Sequence, residues 1–254
     1  MSQRKAWARD ELLAAFRLYC RTPFGKLHQR NPEIIELARL VGRTPSAVAM
    51  KACNFASLDP VLKVRNISAL PNVSRADREL WQMFEQDAES VAAEAEAAHD
   101  RITTGGGADV FLKWEAPQGP TEVERLVRAR RVQSFFRAAV LASYEFRCAL
   151  SDIAFPELLN ASHIVPWNKD KERRADPRNG IALNTLYDRA FDRGLITFDE
   201  SLRLVVSSRL KKGRPPALQR ATFLEVEGKR LRRPYRFSPD PVAMTYHRDK
   251  VFVP

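Results

Sequence analysis

Apolar positions recur at helical spacing through the first quarter of the chain. Between Trp7 and Tyr19 they fall on one face of a 3.6-residue repeat, which predicts a helix. Asn31-Pro32-Glu33 opens a second helix, with Asn31 as cap and proline at the first helical position. That helix carries Ile34, Ile35, Leu37, Ala38, Leu40 and Val41, and Gly42 is suited to end it. Thr44-Pro45-Ser46 repeats the cap-and-proline start for a third helix through Ala47, Val48, Met50, Cys53 and Phe55. Helix, short glycine turn and capped helix is the spacing of a helix-turn-helix. In that arrangement Arg43, Ser46, Ala49, Lys51 and Asn54 are the polar or small residues expected to face outward toward DNA. An ordinary helical corner fits the same pattern.

Further on the pattern thins. Ser74 to Glu79 reads as a capped start to a long helix through the Ala/Glu-rich run Val91 to Ala97, whose narrow apolar stripe suggests a partly exposed spacer. Trp81, Met83 and Phe84 are placed to pack on the N-terminal helices. Gly105-Gly106-Gly107 and Pro117-Gln118-Gly119-Pro120 break the pattern and mark a linker. A basic amphipathic helix, Glu124 to Arg137, continues to Leu141. Short segments come next: Leu158 to Trp167 ending a strand, a charged loop from Asn168 to Arg178, Asn179-Gly180 as a turn, a helix from Thr185 to Arg193, and β-rich stretches at 195–198 and 202–206. The expected organisation is a helical module at 1–71, a connector at 72–120 and an α+β domain at 121–254.

Composition narrows the function classes. The 254 residues carry 42 Lys and Arg against 31 Asp and Glu, a formal charge of +11, which favours a polyanionic partner. No apolar run approaches the roughly 18 residues a membrane span needs, and the N-terminus has no signal-peptide core, so a cytoplasmic chain is expected. Cys20, Cys53 and Cys148 are too widely spaced for a disulfide framework or a CxxC zinc clasp.

Of four histidines, His163 lies among small and apolar residues at a strand end. Asn179-Gly180 comes after it, and then Asp188 and Asp192, four residues apart on one helix face. A histidine that takes a proton from water and carboxylates that hold a hard cation suit metal-assisted phosphodiester hydrolysis. On spacing alone, a packed structural histidine explains the same residues. Arg137, Arg147 and Arg193 each offer a fork to phosphate or to a nearby carboxylate.

The local wording adds to this. Phe136 to Leu141 with Tyr144 and Arg147-Cys148-Ala149, then Ala161-Ser162-His163-Ile164-Val165-Pro166-Trp167, Asn179-Gly180-Ile181-Ala182-Leu183 and Phe191-Asp192-Arg193-Gly194-Leu195, together resemble the HNH endonuclease family, nearest to its restriction-type bacterial branch. The resemblance covers about Thr121 to Leu210, with Tyr246-His247-Arg248 and Phe252 as an outlying extension. It implies a ββα-metal core in which His163 is the general base and Asn179 ties down the loop that aims it. The third motif position falls at Tyr187-Asp188, and Asp188 takes the ligand role because a carboxylate suits Mg²⁺ better than a phenol. Asp192 is the reserve ligand.

The chain departs from the family pattern at Ser162, where many members carry Asp as a second metal ligand. It also keeps only Cys148 of the cysteine pairs that hold structural zinc in some relatives, so no structural zinc is expected. The implied cofactor is one divalent ion, Mg²⁺ or Mn²⁺. The implied activity is DNA cleavage in restriction or phage defence, on a short sequence or a modified base, leaving 5′-phosphate and 3′-hydroxyl ends. Double-stranded DNA is the expected partner, met by the N-terminal unit and by Arg128, Arg131 and Arg137 of the basic helix. A homodimer would cut both strands and a monomer would nick. Two other readings stand beside this one: a DNA-binding protein with a decayed nuclease fold, and a nuclease without sequence preference.

Overall fold

A computed structural model describes residues 6–65, 73–104 and 120–254. The triple glycine and most of the proline-rich boundary lie outside them. Two compact units divide the chain, residues 1–139 and 140–254. The division falls beyond the segment read as a linker, and each unit has its own core.

The first unit is helical. α1 (Arg9–Arg21) is its central element, burying Leu12 to Phe16 and Leu18 to Cys20. α2 (Pro32–Leu40) and α3 (Pro45–Leu58) begin as their sequences predict: the Asn31 side chain accepts from the Glu33 amide and Thr44 from the Ala47 amide, each ahead of a proline. Gly42 adopts φ +62° and the Arg43 amide returns to the Ala38 carbonyl at 2.9 Å, closing α2 with a left-handed residue. A short α4 (Pro60–Val64) comes next, and then α5 (Arg75–Gln86), started by Ser74 and Asp77 in a reciprocal capping box. Phe16, Tyr19, Phe55, Trp81, Phe84 and Phe135 form one aromatic cluster, with Phe16–Phe84 centroids at 5.0 Å and Phe16–Phe55 at 5.1 Å.

The Ala/Glu-rich helix is not a spacer. α6 (Ala88–Thr104) packs along α1, burying Ala88, Val91, Ala92, Ala95 and Ala98. Its stripe is thin because alanines allow two helix backbones to approach closely. Three ion pairs lace the two helices: Arg9–Glu94 at 2.9 Å, Arg17–Glu96 at 2.8 Å and Arg101–Asp10 at 2.8 Å. α7 (Pro120–Ser143) then carries the chain across the division between the units.

The second unit is mixed. Strands β1 (Leu159–His163) and β2 (Gly180–Asn184) pair antiparallel, with His163 opposite Gly180 and Leu159 opposite Asn184. α8 (Thr185–Asp192) continues directly from β2 and packs on both strands. A second antiparallel pair joins β3 (Ile196–Phe198) to β4 (Leu204–Val206). Short helices α9 (Ser208–Lys211), α10 (Ala217–Gln219) and α11 (Pro241–Tyr246) complete the unit. The architecture is α+β, as expected, with a β-hairpin and helix at the predicted positions. Among the described residues no helix is long and apolar enough to cross a membrane.

The C-terminal segment folds back. The Val253 amide donates to the Gly194 carbonyl at 2.9 Å, and His247 stacks on Phe191 with centroids 3.7 Å apart and rings 2° from parallel. His247 Nε2 donates to the Phe191 carbonyl at 3.1 Å, and Thr197 Oγ1 lies 2.9 Å from Nδ1. Burial pushes this imidazole down to about 4, so it is a neutral core residue.

Candidate active site

β1 ends in the sequence Asn160-Ala161-Ser162-His163, and strand alternation sends Asn160 and Ser162 to one face. That face meets α8. Ser162 Oγ donates to Asp188 Oδ1 at 2.6 Å and Asn160 Nδ2 donates to Asp188 Oδ2 at 2.7 Å. Both carboxylate oxygens of Asp188 are therefore held by one strand. The start of α8 is held as firmly: Asn184 caps it by accepting from the Leu186 and Tyr187 amides, and Asn184 Nδ2 donates to Ser151 Oγ at 3.0 Å. Cys148 joins this corner, its Sγ accepting from the Asn184 amide at 3.3 Å and the Ser151 amide at 3.4 Å. It is a polar staple as well as a small buried residue.

His163 sits at the end of β1 with its ring edge-on to Trp167, centroids 5.5 Å apart. Its Nε2 lies 3.0 Å from the Arg174 carbonyl. A carbonyl can only accept, so Nε2 carries the proton and, in the neutral ring, the lone pair is on Nδ1. Withdrawal from solvent lowers the histidine below its ordinary value of 6.5, against opposing effects of the Arg174 carbonyl and the Asp188 charge. The ring is thus neutral at physiological pH.

Asn179 is 1% exposed and works entirely on the backbone. Its Oδ1 accepts from the Val165 amide at 2.8 Å, while Nδ2 donates to the carbonyls of Val165 at 3.1 Å and Arg173 at 3.2 Å. It clamps the two ends of the loop between β1 and β2. Arg174 lies over the Trp167 ring at 4.9 Å and donates to the Trp167 carbonyl at 2.8 Å, so the same loop fixes both neighbours of His163. Arg173 pairs with Asp240 at the start of α11, which ties the loop to the C-terminal part of the unit.

Tyr187, beside Asp188 in the sequence, is buried and turned to another task. Its hydroxyl donates to the Thr222 carbonyl at 2.7 Å and its ring packs edge-on against Phe223. Asp192 lies one turn along α8 and is exposed. Partial withdrawal from solvent and then the Asp188 charge push its carboxyl up to about 6.

Among the described residues no group of three or more His, Cys, Asp and Glu is arranged to hold a metal ion. What does converge is the Asp188 carboxylate, with the Asn160 amide nitrogen and the Ser162 hydroxyl both donating to it. A single carboxylate flanked by a carboxamide and a hydroxyl would suit a hard cation such as Mg²⁺ or Mn²⁺ better than a softer ion.

Residues 148–199 match the HNH endonuclease family model. The matched segment begins at Cys148, contains β1, β2, α8 and β3, and holds Asn160, Ser162, His163, Asn179 and Asp188. HNH nucleases act on nucleic acid and generally use a divalent metal. The match is narrower than the span over which the sequence resembles the family. No curated protein matches the chain.

Four of the residues expected to face outward from the helix-turn-helix-like unit, Arg43, Ala49, Lys51 and Asn54, turn inward instead. Arg43 folds inward, bridging to Glu11 at 2.6 Å with its guanidinium 4.1 Å over the Trp7 ring. Lys51 is buried and pairs with Asp77 at 2.7 Å, and Asn54 donates to the same carboxylate at 3.1 Å. Ala49 is buried too. Periodicity could not reveal that α3 is packed on two sides, by α1 and α2 and again by α5. What α3 exposes is Ser46 and Met50, a face without charge. On α7, Arg131 pairs with Asp100 at 3.0 Å and Arg128 approaches Glu89 at 3.8 Å, while Arg137 is exposed.

Sequence reading missed Asn160, Trp167 as a wall for His163, and Arg174. The signal for Asn160 was present: a polar residue two before Ser162 in a strand whose helix-facing side should be apolar.

Proposed function

We propose that the chain is a metal-dependent DNA endonuclease of the restriction or phage-defence type, with its catalytic centre in the HNH segment. The observation that carries this reading is the setting of His163: a neutral ring with its proton on Nε2, at the end of the strand whose Asn160 and Ser162 hold the Asp188 carboxylate, inside the residues that match the family. His163 Nδ1 accepts a proton from water as the water oxygen attacks phosphorus. The bond from phosphorus to the 3′ oxygen breaks and the 5′-phosphate stays on the other fragment. Asn179 keeps the loop and the histidine in register, and Trp167 limits access of bulk water to the ring. Asp188, with Asp192 as the outer carboxylate, holds the cation, which when bound neutralises charge on the scissile phosphate.

Plasmid cleavage by the purified full chain in Mg²⁺, Mn²⁺ or EDTA, on unmodified and cytosine-modified DNA, tests the reading. Cutting or nicking is expected with metal and not with EDTA, and His163→Ala should reduce it at least about 10²-fold. Wild type that retards DNA on a gel and never cuts in either metal on either substrate would instead establish a DNA-binding protein on a decayed nuclease fold. That alternative has one observation behind it: among the described residues no group of three or more His, Cys, Asp and Glu is arranged to hold a metal ion.

A further inference from the structure

Asn160 belongs to none of the motif positions, yet it is bound to the one carboxylate that faces β1. Its amide nitrogen and Asp188 Oδ2 are 2.7 Å apart, while Ser162 independently fixes Asp188 Oδ1 at 2.6 Å. Ser162 is 1% exposed, whereas Asn160 and Asp188 are both half-buried and so reach solvent together. The geometry points to Asn160 as the second protein ligand of the cation site, a deepening of the nuclease reading above.

A carboxamide presents nitrogen or oxygen to a neighbour by a half-turn about its last torsion. With Asp188 uncompensated, the nitrogen faces the carboxylate and supplies the missing positive end. With a cation in place, the half-turn puts Oδ1 where Nδ2 stood, next to Asp188 Oδ2. Two adjacent oxygens of an octahedron with bonds of about 2.1 Å lie about 3 Å apart, close to the spacing the two side chains already have. Ser162 does not need to move, because its bond goes to the other carboxylate oxygen. Asn160 thus shields Asp188 in the free protein and ligates in the loaded one, and a neutral oxygen beside one carboxylate suits a hard cation over zinc.

Calorimetric titration of Mn²⁺ into the full chain, without DNA, reads this directly. Asn160→Ala should weaken Mn²⁺ binding roughly tenfold. Asn160→Asp should tighten it by a similar factor, because ligand charge is added at the same place. In EDTA, Asn160→Asp should melt below wild type, since two carboxylates then meet, and Mn²⁺ should restore the loss. A gain in affinity cannot come from a misfolded variant. Mn²⁺ affinity unchanged in both Asn160 variants, with Asp188→Asn abolishing binding, overturns the role of Asn160 and leaves the Asp188 site standing. Binding unaffected by Asp188→Asn, or absent from wild type, overturns the site itself and this inference with it.

Discussion

A histidine acts as a base only when it is neutral as substrate arrives and when its lone pair is aimed, and the two histidines of the second unit show how surroundings decide this. His247 has both ring nitrogens engaged and a phenyl ring stacked on its face, so its neutrality serves packing. His163 has its proton fixed on Nε2 by the Arg174 carbonyl and is held below its ordinary pKa by loss of solvent. Lowering the pKa keeps the ring unprotonated to lower pH, so the rate should climb with pH and level off with a midpoint below 6.5. Trp167→Ala opens the ring to water, removes part of the desolvation and should move that midpoint upward with a smaller fall in the plateau than His163→Ala. A wild-type midpoint above 6.5 in the metal-dependent cleavage rate would refute this account of the site.

The elements of the second unit are held in place by segments later in the chain, and one glycine shows how. α8 ends at Asp192, and Gly194 then turns with φ +65° to aim the chain into β3. A β-carbon there would overlap the Val251 carbonyl of the returning C-terminal segment, whose Val253 amide is bonded to the Gly194 carbonyl. Gly194→Ala therefore meets both a left-handed backbone and a backbone clash, and should cost at least about 2 kcal/mol, read as a lower midpoint in thermal or denaturant unfolding. An unchanged midpoint would mean that the tail does not close on α8. Much of this level was legible in the sequence. Asn31, Thr44 and Ser74 cap the helices they announce, and β1, α8, β3 and β4 stand close to where the pattern put them, because caps, prolines and turns act over three or four residues. β2 was not legible in the pattern, where Asn179-Gly180 reads as a turn. The inward turn of Lys51 and Asn54 and the burial of α6 were not legible, because they depend on Asp77 and on α1, far away in the chain. The bond from Asn160 to Asp188 joins a strand to a helix 28 residues later, so spacing could not disclose it.

Across the whole molecule, charge is distributed unevenly between use and surplus. The formal +11 divides into +4 for residues 1–139 and +7 for residues 140–254, the latter with 21 Lys and Arg against 14 Asp and Glu. In the first unit three of the cations singled out for DNA are committed to carboxylates, Arg43 to Glu11, Lys51 to Asp77 and Arg131 to Asp100. A cation committed this way and buried is costly to remove, so Lys51→Ala should lower the unfolding midpoint by an amount of order 3 kcal/mol and leave DNA affinity of the folded protein unchanged. In the second unit Lys212 and Arg214, on either side of the turn at Gly213, are exposed, and so is Arg220. Neutralising those three to glutamine should weaken duplex binding without affecting stability. If each meets a phosphate, the slope of log affinity against log salt should flatten by about 0.9 for each phosphate left unneutralised. Fluorescence anisotropy of a labelled duplex across a salt series, with melts of the same variants, separates the two effects. A loss of affinity at full stability in the Lys51 variant, with no change in slope for the triple variant, would return DNA binding to the helical unit and detach it from the unit that contains the nuclease-family match.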